Sequence, residues 1–327
     1  MVKVGIPRAL LYYQYYPMWR AFFESLGAEV ITSPETTQAV YAAGASRVVA
    51  ETCLPVKVFI GHVIYLSDKC DFIFVPAVRS IEKKVINCSK FLGLPDLARA
   101  VVPEARRILD IDVDADKGKL CLYHNIYKLG SYFSRNPLKI KRAALSAFKV
   151  LDEYQELIQR EELKPPEAID RMNKEIQPQS EKSAKRTIAL IGHPYMLYDS
   201  FVNHRLIPRL EKLGCRVVTP EMVSRENLNE GVARVSGKPY WTYEAEVSGA
   251  GGHFLKSAIS GVIGIMPFGC GPDSMMMDLV RRRAKSPGSV PFMSLTLEEH
   301  TSESGIITRL EAFLDMIARR QEAERCG

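Results

Sequence analysis

An α/β protein of two similar lobes, each a mainly parallel sheet covered by helices on both faces, is what this sequence predicts. Three observations lead there. Short, continuous apolar runs alternate with stretches of helical periodicity, the pattern of strands buried on both faces. The opening pattern of the chain returns after residue 187. Glycine and proline punctuate the elements where caps and strand ends are expected.

The elements follow in order. Val2 to Ile6 is a short apolar strand. A helix from Arg8 to Leu26 carries Leu11, Tyr15, Met18, Phe22 and Leu26 at helical spacing, and Gly27 ends it. Glu29 to Thr32 is the next strand, stopped by Ser33-Pro34. A helix from Thr36 to Tyr41 and a short strand at Val48-Val49 follow. Leu54 to Leu66 reads as helix, and Asp71 to Pro76 as a buried strand. Pro137 to Glu161 is a charged helix, and Lys164 to Thr187 a polar, proline-containing linker. The expected domains are therefore 1–136, the helix and linker 137–186, and 187–327.

The second lobe copies the first. Gly5 matches Gly192, Pro7 matches Pro194, Leu10 matches Leu197, and Leu26-Gly27 matches Leu213-Gly214. The first and last of these glycines are 22 residues apart in both copies. The next strands end alike, in Thr32-Ser33-Pro34-Glu35 and Thr219-Pro220-Glu221, and a later pair ends at Pro76 and Pro267. This is one duplicated α/β unit, not a short-period solenoid. Two such Rossmann-like, doubly wound lobes predict a cleft between them, with ligands beyond the carboxyl ends of the strands.

Composition narrows the function classes. The chain has 327 residues, 46% apolar and 25% charged, so it is neither disordered nor a disulfide mini-scaffold. The net charge is +6, too mild to point to nucleic acid. The longest uncharged stretch near a strong apolar run, Ser257 to Pro272, is broken by glycines and two prolines and does not suit a membrane span. The start, Met-Val-Lys-Val-Gly-Ile-Pro, has no secretory apolar core. A cytoplasmic protein without nucleic-acid or membrane partners is expected, with its seven cysteines as thiols or metal ligands.

Three cysteines stand apart. Cys53, in Glu51-Thr52-Cys53-Leu54-Pro55-Val56-Lys57, precedes a helix. Cys88 follows Asn87 in the loop after the Phe72–Pro76 strand, and Cys270 lies between glycines just before a helix beginning near Ser274. All three are placed at strand-to-helix turns. Helix N-termini favour thiolate, and thiolates from two lobes suit zinc or an Fe–S cluster. Spacing alone leaves open that they are unrelated structural thiols, since the chain has no Cys-x-x-Cys. Cys70, Cys121 and Cys215, in or beside apolar strands, read as small buried hydrophobes, and Cys326 as an exposed thiol.

These motifs resemble a known family. Glu51 to Lys57 followed by Gly61-His62-Val63, Cys88 with Gly93-Leu94-Pro95, Phe268-Gly269-Cys270-Gly271 with Asp273, and Thr308 to Phe313 resemble the 2-hydroxyacyl-CoA dehydratase/benzoyl-CoA reductase superfamily. The closest likeness is to its branch labelled CoA-substrate-specific enzyme activase-related. The resemblance implies paired Rossmann-like lobes and an iron–sulfur cluster, [4Fe–4S] or a double-cubane variant, held by Cys53, Cys88 and Cys270. It implies low-potential electrons from a separate ATP-hydrolysing activator protein, a homo- or heterodimer, and acyl-CoA dehydration or reduction in anaerobic metabolism. The chain lacks the phosphate loops of the ATPase itself. Alternatives are a non-catalytic scaffold or cluster-delivery subunit, or a two-lobed small-ligand-binding protein without metal.

Other candidates carry bland readings. Ser248-Gly249-Ala250-Gly251-Gly252 reads as a flexible loop before a helix more than as a phosphate cradle. His62, His193 and His300 read as satisfied or exposed histidines, His193 being the most interesting because it follows a strand. Lys57 and Arg79 read as solvated charge, Tyr12, Tyr13, Tyr15 and Tyr16 as core, Arg281 to Arg283 as a solvated helix end, and Glu298, Glu299, His300 and Glu303 as an acidic loop.

Overall fold

A computed structural model describes residues 1–105, 107–173, 186–286 and 288–326, with side chains in the last helix through residue 323. The chain divides into two compact units. Unit 1 comprises Met1–Ile176 with Tyr240–Tyr243, and unit 2 comprises Gln177–Pro239 with Glu244–Gly327.

Unit 1 begins β1 (Lys3–Ile6), α1 (Tyr12–Leu26), β2 (Glu29–Thr32), α2 (Gln38–Ala45), α3 (Leu54–Leu66) and β3 (Phe72–Phe74). It continues β4 (Ala77–Ser80), α4 (Ser89–Leu92), α5 (Leu94–Val101), β5 (Ile108–Leu109), β6 (Asp112–Asp114), α6 (Gly118–Gly130), α7 (Pro137–Glu161) and α8 (Pro165–Met172). Its sheet has the order β2-β1-β3-β5, all parallel, with a separate parallel pair β4-β6. Phe22, Phe23, Ile60, Phe74 and Tyr154 fill its core. The charged helix α7 lies along α1, and the buried Tyr154 hydroxyl donates to the Tyr13 carbonyl at 2.7 Å.

Unit 2 begins β7 (Arg186–Ile191), α9 (Pro194–Leu197), α10 (Leu206–Lys212), β8 (Cys215–Val218), a 3-10 turn over Pro220–Met222 and α11 (Arg225–Val235). A π-helical turn over Ala245–Gly249 runs into α12 (Ala250–Phe254), followed by β9 (Gly261–Pro267), α13 (Gly271–Ala284), β10 (Phe292–Leu297) and α14 (Glu303–Cys326). Its sheet has the order β8-β7-β9-β10, again all parallel. Matched element for element, this is the order of the first sheet. The apolar strands are buried on both faces, as in Ile188, Ile191, Val262 and Ile265. In both copies the glycine after the first long helix, Gly27 or Gly214, sits at positive φ (95° and 79°), which spares a Cβ the left-handed strain.

Several expectations are corrected. No strand forms at Val48-Val49; the chain turns there, with the Thr52 N–H bonded to the Val49 carbonyl and Val49 exposed. Two β-branched residues without a neighbouring strand cannot sustain one. The first helix starts at Tyr12, not Arg8, because Leu10 takes φ 50°. The matching helix of the second copy is split into α9 and α10. Asp199 Oδ1 accepts from the N–H groups of Phe201 and Val202, and Asn203 Oδ1 from that of Leu206. These side chains intercept the backbone donors that a continuous helix would use. The expected linker contains α8, started by Glu167 accepting the Lys164 N–H at 2.9 Å. Its stretch 174–185 lies outside the described residues. No helix among the described residues is long and apolar enough to cross a membrane.

Candidate functional site

The three singled-out cysteines share one local geometry. Cys53, Cys88 and Cys270 are the N-cap residues of α3, α4 and α13, and each is half-buried. The Cys53 carbonyl accepts from the N–H groups of Val56 and Lys57 and so starts α3. The Cys88 turn is pinned by Asn87, whose Oδ1 accepts the Cys88 N–H at 2.9 Å while its Nδ2 donates to the Val78 carbonyl at 3.1 Å. At Cys270, the carbonyl accepts from both the N–H and the hydroxyl of Ser274. Gly269 turns the chain at φ 74°, and a Cβ on Gly269 or Gly271 would meet only open space. One expectation needs correcting: the turn before Cys53 joins two helices, α2 and α3, and not a strand to a helix.

None of the six described cysteines forms a disulfide. Cys70 and Cys215 are buried; burial pushes the Cys70 thiol up to about 11 and raises that of Cys215. Cys121 is half-buried in α6, which packs on β6, and the Cys326 side chain lies outside the described residues. The donor chemistry of Cys53, Cys88 and Cys270 fits a soft metal or cluster. Cys53 and Cys88 belong to unit 1 and Cys270 to unit 2. Among the described residues, no three His, Cys, Asp or Glu side chains stand close enough together to hold a metal ion.

Unit 2 holds a cluster that the sequence marked only in part. His193 follows β7, caps α9 and is 6% exposed. Its Nε2 lies 2.9 Å from Asp273 Oδ1 and its Nδ1 2.6 Å from Glu246 Oε2. Burial would lower the imidazole, but Asp273 and Glu246 outweigh it and hold His193 up at about 10. Both ring nitrogens therefore carry protons at neutral pH and donate to the carboxylates. The Tyr195 ring stacks on the imidazole at 5.2 Å. Asp273 is the third residue of α13, where a carboxylate commonly folds back on its own helix; here it turns to His193. Its Oδ2 is buried and makes no hydrogen bond. Beyond Glu246 stands Glu221, which follows β8. Its Oε2 accepts the Tyr198 hydroxyl at 2.5 Å, and its buried Oε1 makes no hydrogen bond. Burial raises Glu221, the Tyr198 hydroxyl opposes that, and the Glu246 charge adds to it, leaving its carboxyl at about 7.

The residues after β7, β8 and β9 thus meet at the carboxyl edge of this sheet, beside the strand pair β7-β9 where the order reverses. Sequence reasoning found His193 and Asp273. It missed Glu246 and Tyr198, and took Glu221 only as a landmark of the repeat. Glu246 left no signal: it sits in the π-helical turn, a feature often found at functional sites.

The same edge of unit 1 is apolar. A small pocket of about 30 Å³ opens there, lined by Ile6, Leu11, Tyr16, Trp19, Phe59 and Phe74 among others. On the ungapped register that pairs Gly5 with Gly192, Ile6 stands where unit 2 has His193, and Leu11 where it has Tyr198. Nearby, His62 is fully buried; its Nε2 meets the Thr36 hydroxyl at 2.9 Å, and burial lowers it to about 4.

The weaker candidates resolve as structure. Ser248 to Gly252 is helix, not loop; a Cβ on Gly231 would stand 1.9 Å from the Gly249 carbonyl, so these glycines let α11 approach closely. Lys57 is buried in α3, against the expectation of solvated charge, because that helix is covered nearly all round. Arg79 pairs with Asp114 at 3.4 Å. Tyr12, Tyr13 and Tyr16 are core, and Glu303 pairs with Arg209.

One protein family, described as CoA enzyme activase uncharacterised domain (DUF2229), matches residues 3–223. The match takes in Cys53, Cys88, His193 and Glu221, and stops before Glu246, Cys270 and Asp273. No curated protein matches the chain.

Proposed function

We infer the function from one premise: this chain belongs to the family described as CoA enzyme activase uncharacterised domain. The reading is an iron–sulfur protein of the 2-hydroxyacyl-CoA dehydratase type that works with CoA-dependent enzymes. Cys53, Cys88 and Cys270 are its cluster ligands. Its electrons come at low potential from an ATP-hydrolysing activator protein, and they serve reductive or dehydration chemistry. When bound, such a cluster supplies single electrons.

The observation that carries this reading is the shared setting of three thiols. Each is a half-buried helix N-cap, while Cys70 and Cys215 are buried and Cys121 lies inside a helix. The chain's own part is to present three cysteine side chains at helix starts, where backbone N–H groups favour negative charge on a bound group. The open space beside Gly269 and Gly271 leaves room for a bulky group at Cys270. The test is iron and acid-labile sulfide in protein purified without oxygen. Stoichiometric iron and sulfide support the reading; none after reconstitution removes it.

A further inference from the structure

We propose that Glu221 is a proton donor of unit 2, aimed at an oxygen of a bound small molecule that gains negative charge during its reaction. The proposal rests on the reading above, because reducing a carbonyl oxygen or expelling a hydroxyl requires a proton as well as electrons.

The argument is one of charge and hydrogen bonds. Four segments bring titratable groups to one edge of the sheet: His193 after β7, Glu221 after β8, Glu246 in the π-helical turn and Asp273 in α13. The groups that face Glu221 are the Tyr198 and Thr219 hydroxyls, its own backbone N–H and the Glu246 carboxylate. The one imidazolium of the cluster is already engaged at both nitrogens, by Glu246 at 2.6 Å and Asp273 at 2.9 Å. It offers no proton to Glu221. An ionised Glu221 would be a second carboxylate beside Glu246, held by the neutral Tyr198 and Thr219 hydroxyls and its own backbone N–H. A proton on Oε1 removes that repulsion, and Oε1 has no partner in the chain to accept from it. Its carboxyl, at about 7, lies where a general acid works best near neutral pH. In the transfer, the Oε1–H bond breaks and an O–H bond forms on the ligand. The electron pair stays on Glu221, whose carboxylate keeps the Tyr198 hydrogen bond, and solvent restores the proton. His193 is a positioning residue: it ties Glu246 and Asp273 together and so fixes Glu246 beside Glu221.

The register between the two copies supports a function acquired in one of them. Glu35, which follows the strand-end proline of the first copy as Glu221 follows Pro220, pairs with Arg8 at 3.2 Å and is exposed. The counterparts of His193 and Tyr198 are the apolar Ile6 and Leu11. The acid–base set is therefore not a requirement of the fold.

Infrared spectra of the full chain, free of iron and titrated from about pH 5 to about pH 9, test the proposal. The expected result is a protonated-carboxyl C=O band that disappears through about pH 7 and is missing in Glu221→Gln. In Tyr198→Phe its midpoint moves up, since a hydrogen bond to the carboxylate is lost. Absence of the band, or its persistence in Glu221→Gln, overturns the proposal. A second arm uses protein loaded with iron and sulfide. Its reduction potential should depend on pH in the parent chain and lose that dependence in Glu221→Gln. A potential indifferent to Glu221, despite the band, also overturns the donor role. Failure to load iron would overturn the earlier reading instead, and the infrared band would still decide Glu221.

Discussion

At the scale of single residues, the cysteines divide by environment, and their variants should divide the same way. Cys53→Ala, Cys88→Ala and Cys270→Ala should each lose most of the bound iron and sulfide, while Cys121→Ala and Cys215→Ala keep it. Metal analysis against unfolding midpoints checks this, because Cys215→Ala touches the core and costs stability without touching the ligands. His193 offers a different prediction. Truncating it to alanine leaves Glu246 and Asp273 uncompensated, a loss of about 3–5 kcal/mol for a broken buried pair. The additional Asp273→Asn change should recover part of that loss. Hydrogen exchange in β7 and β9 would register both effects, and equal protection in all three proteins would contradict them. The turns that hold the cysteines and His193 were legible because helix-start signals flank them, with a strand end as well at His193. Glu246 was not, because a π-helical turn has no residue pattern that distinguishes it from the α-helix it joins.

At the scale of elements, α3 shows what holds a site residue in place. It crosses α2 through two glycines: a Cβ on Gly44 would fall 1.9 Å from the Lys57 carbonyl, and one on Gly61 1.9 Å from the Val40 carbonyl. Backbone cannot retreat as a flexible side-chain tip does. Gly44→Ala and Gly61→Ala should therefore each destabilise unit 1 by about 1–3 kcal/mol, the range for overpacking. They should also disturb the Cys53 turn at the start of α3, and calorimetry together with iron content checks both. The bounds of β2, α3 and α7 were legible to the residue. Each has a strong punctuator, such as Ser33-Pro34 or the Asn136 cap that accepts from the N–H groups of Leu138 and Lys139. The break between α9 and α10 escaped because it depends on where two side chains, Asp199 and Asn203, direct their oxygens. Apolar periodicity carries no information about that.

At the scale of the whole molecule, the two units should answer pH in opposite senses. In unit 1, burial lowers His62 from 6.5 to about 4, so its contribution is present above pH 6.5 and is lost as pH falls through about 4. In unit 2, His193 is raised from 6.5 to about 10, and its contribution is present below pH 6.5 and lost as pH rises through about 10. Glu221, raised from 4.5 to about 7, acts in the same direction, being lost as pH rises through about 7. The lowered His204 and His253 oppose this in part. Both tryptophans, Trp19 and Trp241, belong to unit 1. Tryptophan fluorescence should accordingly follow the acid-sensitive unit, and hydrogen exchange in β7 to β10 the alkali-sensitive one. A single shared pH profile would refute the division. The duplication itself was legible from glycine and proline landmarks at equal spacing, and the matching sheet orders follow from it. The divergence of the two sheet edges became visible only once Glu246 and Asp273 were seen to meet His193.

That divergence has a consequence for ancestry. A single ancestral lobe that paired with its own copy would present two equivalent edges, both greasy or both charged, since one gene would write them. Joining two copies in one reading frame removes that constraint. Each edge can then mutate on its own account, yet the cell always makes them in equal number. An Ile6 in one copy and a His193 in the other is a difference that a fused gene can keep and a symmetric dimer cannot.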